Sequence, residues 1–287
     1  MFLLDLERLY RSFNFNFRNG SFFVSGLGPL SFALAAFFED AADEGLRPSN
    51  SLHIFGTLVG GAVVDSITEN LQLVSTDEGK GFKLLNEPNS HVYIPDFSSS
   101  AMEFKINDER RRRGKLLKAI EGKASGEPLK VFDFFGGFAQ DAFLMACLGH
   151  EVLSVERNPL VYEVTSQAWE NQKEVEWVKD LNLSLRLKNA ESFHELQNQM
   201  ESFDVIYMDP MFEKSKNKSK SVLSMQILQE LLSHSEEEQI PWDEILELGL
   251  QKASKIVMKL PIKGPSLVQR KFSHQILGKT IRFEVFI

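Results

Sequence analysis

Cysteine is almost absent from this chain. Cys147 stands alone among 287 residues, which excludes an internal disulfide framework and any cysteine-rich zinc site. Long apolar runs are missing too: the longest, around Leu30–Phe38, has about nine residues, where a bilayer-spanning helix needs roughly 20. The N-terminus lacks a basic flank, since Met1-Phe-Leu-Leu-Asp5-Leu-Glu7 puts acids where a secretory signal carries lysine or arginine. Net positive charge is also lacking. With 32 Lys+Arg against 40 Asp+Glu the chain is at −8, which argues against coating nucleic acid over the whole surface. The apolar and charged fractions, 43% and 25%, are ordinary and exclude wholesale disorder. What remains is a cytosolic globular chain without a membrane segment, with one large domain or two smaller ones.

The charge is unevenly spread. From Lys252 to Ile287 eight basic residues face one acid, Glu284, so this tail is +7 and the rest of the chain carries −15. Two further basic spots are Arg110, Arg111, Arg112 and Arg113 with Lys115 and Lys118, and the alternating Lys214, Lys216, Lys218 and Lys220. A single charge run is usually a solvated face. Three of them on an acidic protein are the pattern of a local phosphate-contacting surface.

Residues 1–101 read as an accessory α+β region. Phe13, Phe15 and Phe17 alternate with polar residues before Asn19-Gly20, and Phe22–Val24 follows, the signature of a hairpin with a type I′ turn. Pro29 opens an apolar run to about Ala42 that ends before Gly45, a helix pattern. Ser51–Ile94 mixes short apolar runs with Gly60-Gly61, read as a turn because no Lys-Ser/Thr follows it. The turn-rich Pro95–Ser100 marks the boundary.

Residues 102–287 are more regular. Short β-rich runs at Val131–Phe135, Glu151–Val155, Leu183–Leu187, Phe203–Met208 and Lys255–Leu260 alternate with helical stretches at Ala139–Leu148, Pro159–Gln172 and Ser221–Leu250. His274–Leu277 and Thr280–Ile287 form a closing hairpin. Strands alternating with helices imply an α/β fold with a mostly parallel, Rossmann-like sheet, and the hairpin adds an antiparallel edge.

In such a sheet ligands sit beyond the carboxyl ends of the strands, so the residues ending each strand are the informative ones. The first run ends in Asp133-Phe-Phe-Gly136-Gly137-Phe-Ala139-Gln140-Asp141, a glycine turn opening a helix, which lets backbone N–H groups approach a ligand. The second ends in Glu156, nineteen residues after Gly137, where a carboxylate can accept both hydroxyls of an adenosine ribose, as in NAD- and S-adenosylmethionine-binding folds. The fourth ends in Asp209-Pro210-Met211-Phe212. This resembles the Asp/Asn/Ser-Pro-Pro-aromatic motif of amino-methyltransferases. There the carboxylate accepts a hydrogen bond from a weakly nucleophilic amine, the proline fixes the turn and the aromatic ring stacks on the base.

The chain also resembles the small-subunit ribosomal RNA guanine-N2 methyltransferase family. Glu156-Arg157-Asn158-Pro159 and Asp209–Phe212 match that family without change, Asp133–Phe143 matches its glycine turn in part, and Arg282-Phe283-Glu284 echoes a closing Arg-Phe-Asp. The resemblance implies a class I methyltransferase fold and S-adenosyl-L-methionine as cofactor. It implies cofactor contacts from Asp133, Gly137, Gln140, Asp141, Glu156, Arg157, Glu191, Ser192 and Asp209, with Asp209, Pro210 and Phe212 carrying the chemistry and no metal. Ribosomal RNA or the small ribosomal subunit would be the partner, held by Arg110–Arg113 and the four alternating lysines. Gln140 stands where the family has arginine, and Ala139 where it has glycine, so the turn must avoid positive φ or be strained. Two rival readings are an NAD(P)-dependent oxidoreductase and a non-catalytic RNA-binding assembly factor on the same fold.

Overall fold

A computed structural model describes residues 17–18, 21–22, 55–59, 62–86, 90–108, 114–122, 126–211, 222–233 and 241–287, with backbone only before residue 67. They fall into two compact units that divide between Tyr93 and Ile94, with residues 230–233 grouped with the first.

In the first unit β1 (Phe17–Arg18) pairs antiparallel with β2 (Ser21–Phe22), Arg18 opposite Ser21. That is the register a two-residue Asn19-Gly20 turn requires, although the turn itself lies outside the described residues, as does the expected helix after Pro29. Residues 55–84 form a four-stranded antiparallel meander of β3 (Phe55–Val59), β4 (Ala62–Ser66), β5 (Leu71–Thr76) and β6 (Gly79–Leu84). Val59 pairs with Ala62 across Gly60-Gly61, glycines that also fall outside the description.

Near the start of the second unit is Phe97, whose ring lies 5.2 Å from Phe143 and 5.6 Å from Trp169. Helices α1 (Ser100–Asn107) and α2 (Lys115–Glu121) follow, the first capped by the Ser99 hydroxyl, which accepts from Met102 N–H. The chain then winds through β7 (Lys130–Asp133), α3 (Gln140–Cys147), β8 (Glu151–Glu156), α4 (Pro159–Gln172), α5 (Glu176–Asp180), β9 (Leu185–Asn189), α6 (Ser192–Asn198) and β10 (Phe203–Met208). Helices α7 (Leu223–Ser233) and α8 (Trp242–Lys252) lead to β11 (Ala253–Pro261), β12 (His274–Leu277) and β13 (Ile281–Phe286).

These seven strands make one sheet in the order β12-β13-β11-β10-β7-β8-β9. Strands β7 to β11 run parallel, and β13 pairs antiparallel with both β11 and β12. This is the expected Rossmann-like sheet with its antiparallel edge. Alternation along the strands feeds two cores. Val131, Val205, Tyr207 and Val257 pack with residues of α1 to α5, whereas Phe132, Ile206, Met208 and Met258 pack with residues of α6 and α8. A sheet buried on both faces needs such continuous apolar strands.

Strand order reverses at β7, whose neighbours are β8 on one side and β10 on the other. A crevice at the carboxyl ends of these strands is where such folds bind ligands. No helix among the described residues is long and apolar enough to cross a membrane.

Candidate functional site

Gly136 and Gly137 build the first wall. A Cβ on Gly136 would lie 2.7 Å from Ser154 Oγ and 3.0 Å from the Val155 carbonyl oxygen, so only glycine lets β7 leave the sheet this close to β8. Gly137 has φ +51°, and its N–H donates to Glu156 Oε2 at 2.8 Å. The other oxygen of Glu156 accepts from Asn158 N–H at 2.7 Å. Asn158 in turn caps α4, accepting from Leu160 and Val161 N–H ahead of Pro159 at the first helical position. Burial raises the Glu156 pKa, opposed by the hydrogen bonds from Asn158 and Gly137 and by the Arg157 charge. The carboxylate thus ties the glycine turn to the start of α4, and it lines a cleft with Gly137, Ala139, Ser154, Tyr162, Thr165 and Leu187.

Ala139 takes the strained alternative. Its φ of 54° and ψ of 24° are left-handed, which costs a residue with a Cβ about 1–2 kcal/mol. It is buried, and its carbonyl accepts the first α3 bond, from Phe143 N–H. Gln140 does not restore a cation; its side-chain amide donates to the Asp96 carbonyl at 3.2 Å.

A second cluster joins the first turn of α3 to the carboxyl-terminal parts of β10 and β11. Lys259 Nζ donates to Asp141 Oδ2 at 2.8 Å and to Asp209 Oδ2 at 2.6 Å, and Tyr207 OH donates to Asp141 Oδ2 at 2.6 Å. Burial would lower the Lys259 pKa, but the two carboxylates outweigh it and raise it. Burial likewise pushes Asp141 up, yet the Lys259 charge and the hydrogen bonds from Lys259 and Tyr207 hold it below the ordinary carboxylate range. Asp209 goes the other way. Burial and the neighbouring Asp141 push it up to about 6 against the pull of Lys259. Its side chain remains 37% exposed, so it faces the crevice.

Asp133 lies behind both groups. It is buried, Ser154 Oγ donates to its Oδ2 at 2.7 Å, and its Oδ1 has no partner among the described residues. Burial, with Asp141, Asp209 and Glu156 nearby, pushes its pKa up to about 7 in spite of the Ser154 bond. An acid-rich crevice with one buried acceptor left over suits a ligand that is cationic and donates hydrogen bonds. S-adenosylmethionine, with its sulfonium and ammonium, is such a ligand.

The sequence expectations map unevenly onto this site. Asp133, Gly137, Asp141, Glu156 and Asp209 gather at the carboxyl ends of β7, β8 and β10, with Gln140 in the first turn of α3. Glu191 is the N-cap of α6, accepting from Phe193 and His194 N–H, and Ser192 beside it is buried. Phe212, Arg110–Arg113 and Lys214, Lys216, Lys218 and Lys220 lie outside the described residues.

Two of the eight basic residues counted in the C-terminal tail are paired with acids inside the fold. Lys259 belongs to the site. Arg282 is buried, paired with Glu284 at 2.9 Å and donating to the Pro261 and Pro265 carbonyls, with Ser266 on the second Glu284 oxygen. Lys259, Tyr207, Ser154 and Tyr162 line this candidate site without having been singled out in the sequence; a lysine near the carboxyl end of β11, beside Asp209, is the signal that points to Lys259.

Gly136→Ala is expected to destabilise the protein by about 1–3 kcal/mol, the cost of forcing a methyl into a packed site. Scanning fluorimetry should show a lower thermal midpoint; an unchanged midpoint would mean the β7–β8 contact gives way freely.

Comparisons with known proteins give the family. The family model for putative SAM-dependent methyltransferases matches residues 62–287. The ribosomal RNA small subunit methyltransferase J of Francisella tularensis subsp. novicida (strain U112) is 30% identical over 204 residues, covering 70% of this chain and 82% of that protein. Its namesake in Francisella philomiragia is 28% identical over 191 residues, covering 67% and 78%. Among solved structures, a SAM-dependent methyltransferase from Neisseria gonorrhoeae superposes with a TM-score of 0.54 at 20% identity, over 77% of this chain and 84% of that one, which supports the fold. An oxidoreductase assignment does not survive these matches. The cofactor is S-adenosylmethionine, and the chain belongs to the family of SAM-dependent methyltransferases that includes these ribosomal RNA small subunit methyltransferases J.

Proposed function

We propose that the protein methylates the exocyclic N2 amine of a guanine in small-subunit ribosomal RNA, in the cytoplasm. The observation that carries this reading is the Asp209 carboxylate at the end of β10, partly exposed to the crevice and held by Lys259 at 2.6 Å. It opens an Asp-Pro-Met-Phe sequence suited to an amine on a planar base.

In this reading Glu156 receives the ribose hydroxyls through lone pairs that its backbone donors leave free. Asp133, Gly137, Gln140, Asp141, Arg157, Glu191 and Ser192 complete the cofactor's surroundings. When bound, S-adenosylmethionine supplies an electrophilic methyl group. The chain's own residues do the rest. A guanine N2 lone pair is delocalised into the ring, so the amine is a poor nucleophile. Asp209 accepts one N–H, localises the pair and fixes the nitrogen's direction of attack. Pro210 sets the turn, and Phe212 stacks on the base once it is drawn out of its own stack.

A target in structured RNA also calls for phosphate contacts, for which Arg110–Arg113 and the four alternating lysines are the residues available. The test compares small-subunit ribosomal RNA or its particle with free guanosine as methyl acceptors. Methylation of the RNA alone is expected. RNA affinity should fall with salt, each neutralised phosphate adding about −0.7 to −0.9 to the log–log slope. Replacing either basic cluster with neutral residues should reduce that slope. Salt-independent methylation of free guanosine would overturn the substrate assignment while leaving the fold intact.

A further inference from the structure

We propose that Lys259 is a positioning residue for methyl transfer, bridging Asp141 and Asp209 so that the Asp209 carboxylate stands ionised and fixed in front of the amine. This rests on the reading of Asp209 as the acceptor for that amine. Lys259 comes from β11, Asp209 from the end of β10 and Asp141 from the first turn of α3, so one ammonium ties together three elements around the crevice. The side chain is only 22% exposed, and both contacts are charge-assisted bonds at 2.6–2.8 Å. Tyr207 OH donates to the same Asp141 oxygen at 2.6 Å, so the carboxylate that the ammonium meets is itself held in place.

The chemistry needs such a brace. As the N–C bond forms, the methyl–sulfur bond breaks and sulfur keeps the pair, becoming a neutral thioether. The nitrogen, briefly cationic, loses one proton, which passes to Asp209 and then to water. Asp209 must therefore be ionised beforehand, although Asp141 and Asp133 nearby disfavour that charge.

Among the described residues, the charged and titratable groups acting on Asp209 and Asp141 come from every element packed there: Lys259 on β11, Tyr207 on β10, Asp133 on β7 and Lys105 on α1. Glu156 on β8 acts on the same cluster through Asp133. Lys259 is the cation bonded directly to both carboxylates.

The experiment compares wild type with Lys259→Met and Lys259→Arg. For Lys259→Met, kcat at pH 7 should fall on the order of 100-fold, while the KM for RNA and the Kd for S-adenosylhomocysteine change by less than about tenfold. The acid limb of its kcat–pH profile should move up by about 1–3 pH units, as expected when a carboxylate loses a cation at contact distance. Lys259→Arg should return the limb close to its wild-type position and recover part of the rate. Carbon-13 NMR of labelled aspartate carboxyls reads the same titration without turnover, and Asp209 should titrate higher in Lys259→Met. Should that variant fail to fold, Lys259→Gln and Lys259→Arg provide the same comparison. An acid limb and an Asp209 titration that stay in place without the lysine overturn the proposal. A wild-type protein that methylates no RNA overturns the functional reading instead, and the NMR titration then decides the role of Lys259.

Discussion

Asp209→Ala should lose about 10²–10⁴-fold in kcat, the range that a positioned proton acceptor contributes, while the folded protein still binds S-adenosylmethionine within about tenfold of wild type. Asp209→Asn should fare little better. Its carbonyl can accept the amine N–H, but it takes no proton and carries no charge for Lys259 to meet. The pH profile has a definite sign. Asp209 is pushed up to about 6, and only its ionised form can act, so wild-type kcat should fall about tenfold per pH unit below that value and level off above it. Single-turnover methylation of small-subunit RNA across pH 5–8 checks both points. An active Asp209→Ala enzyme would remove the carboxylate from the mechanism.

The second large effect is at the other end of the crevice. Glu156→Ala should weaken S-adenosylmethionine binding by roughly ten- to a hundredfold, which corresponds to losing a charged hydrogen-bond partner of about 1.5–3 kcal/mol. Part of that loss would be indirect, because Glu156 also holds Gly137 N–H at 2.8 Å and Asn158 N–H at 2.7 Å. The two parts separate by experiment. Loosening of the turn should appear as a lower thermal midpoint without ligand, whereas loss of the ribose contact appears only in calorimetric affinity. Unchanged calorimetric binding would put the adenosine elsewhere.

These two residues were legible in the sequence for a physical reason. A parallel strand buried on both faces is mostly apolar, so Glu156, the carboxylate that ends β8, and Asp209, the one that follows β10, stand out at the carboxyl ends. Asn158-Pro159 adds a cap and a first-position proline, which put the start of α4 at the residue where it is found. The closing hairpin was legible from Gly278-Lys279 between two β-rich runs. Short elements were not. Helices α5 and α6 span five and seven residues, too few turns for a 3.6-residue periodicity to build up.

Charge counting failed where position mattered more than composition. Lys259 and Arg282 looked like two more cations in a basic tail. Both lie on strands and pair with acids, Lys259 with the partly buried Asp141 and Asp209 and Arg282 with the buried Glu284 two residues along β13, and a charge count does not see such pairs. Ala139 shows the opposite case. Its substitution for glycine warned of strain in the turn, and the turn adopts left-handed φ regardless, because Gly137 N–H must reach Glu156 and α3 must begin where it does.

The central claim is that this crevice delivers a methyl group to the exocyclic amine of a guanine. The most direct measurement incubates unmethylated small-subunit ribosomal RNA with the purified protein and methyl-deuterated S-adenosylmethionine, digests the RNA to nucleosides and identifies the labelled product by mass spectrometry. The account predicts N2-methylguanosine carrying the deuterated methyl, formed by wild type and lost with Asp209→Ala. Label on a ring nitrogen, on another base or on no nucleoside at all would contradict it.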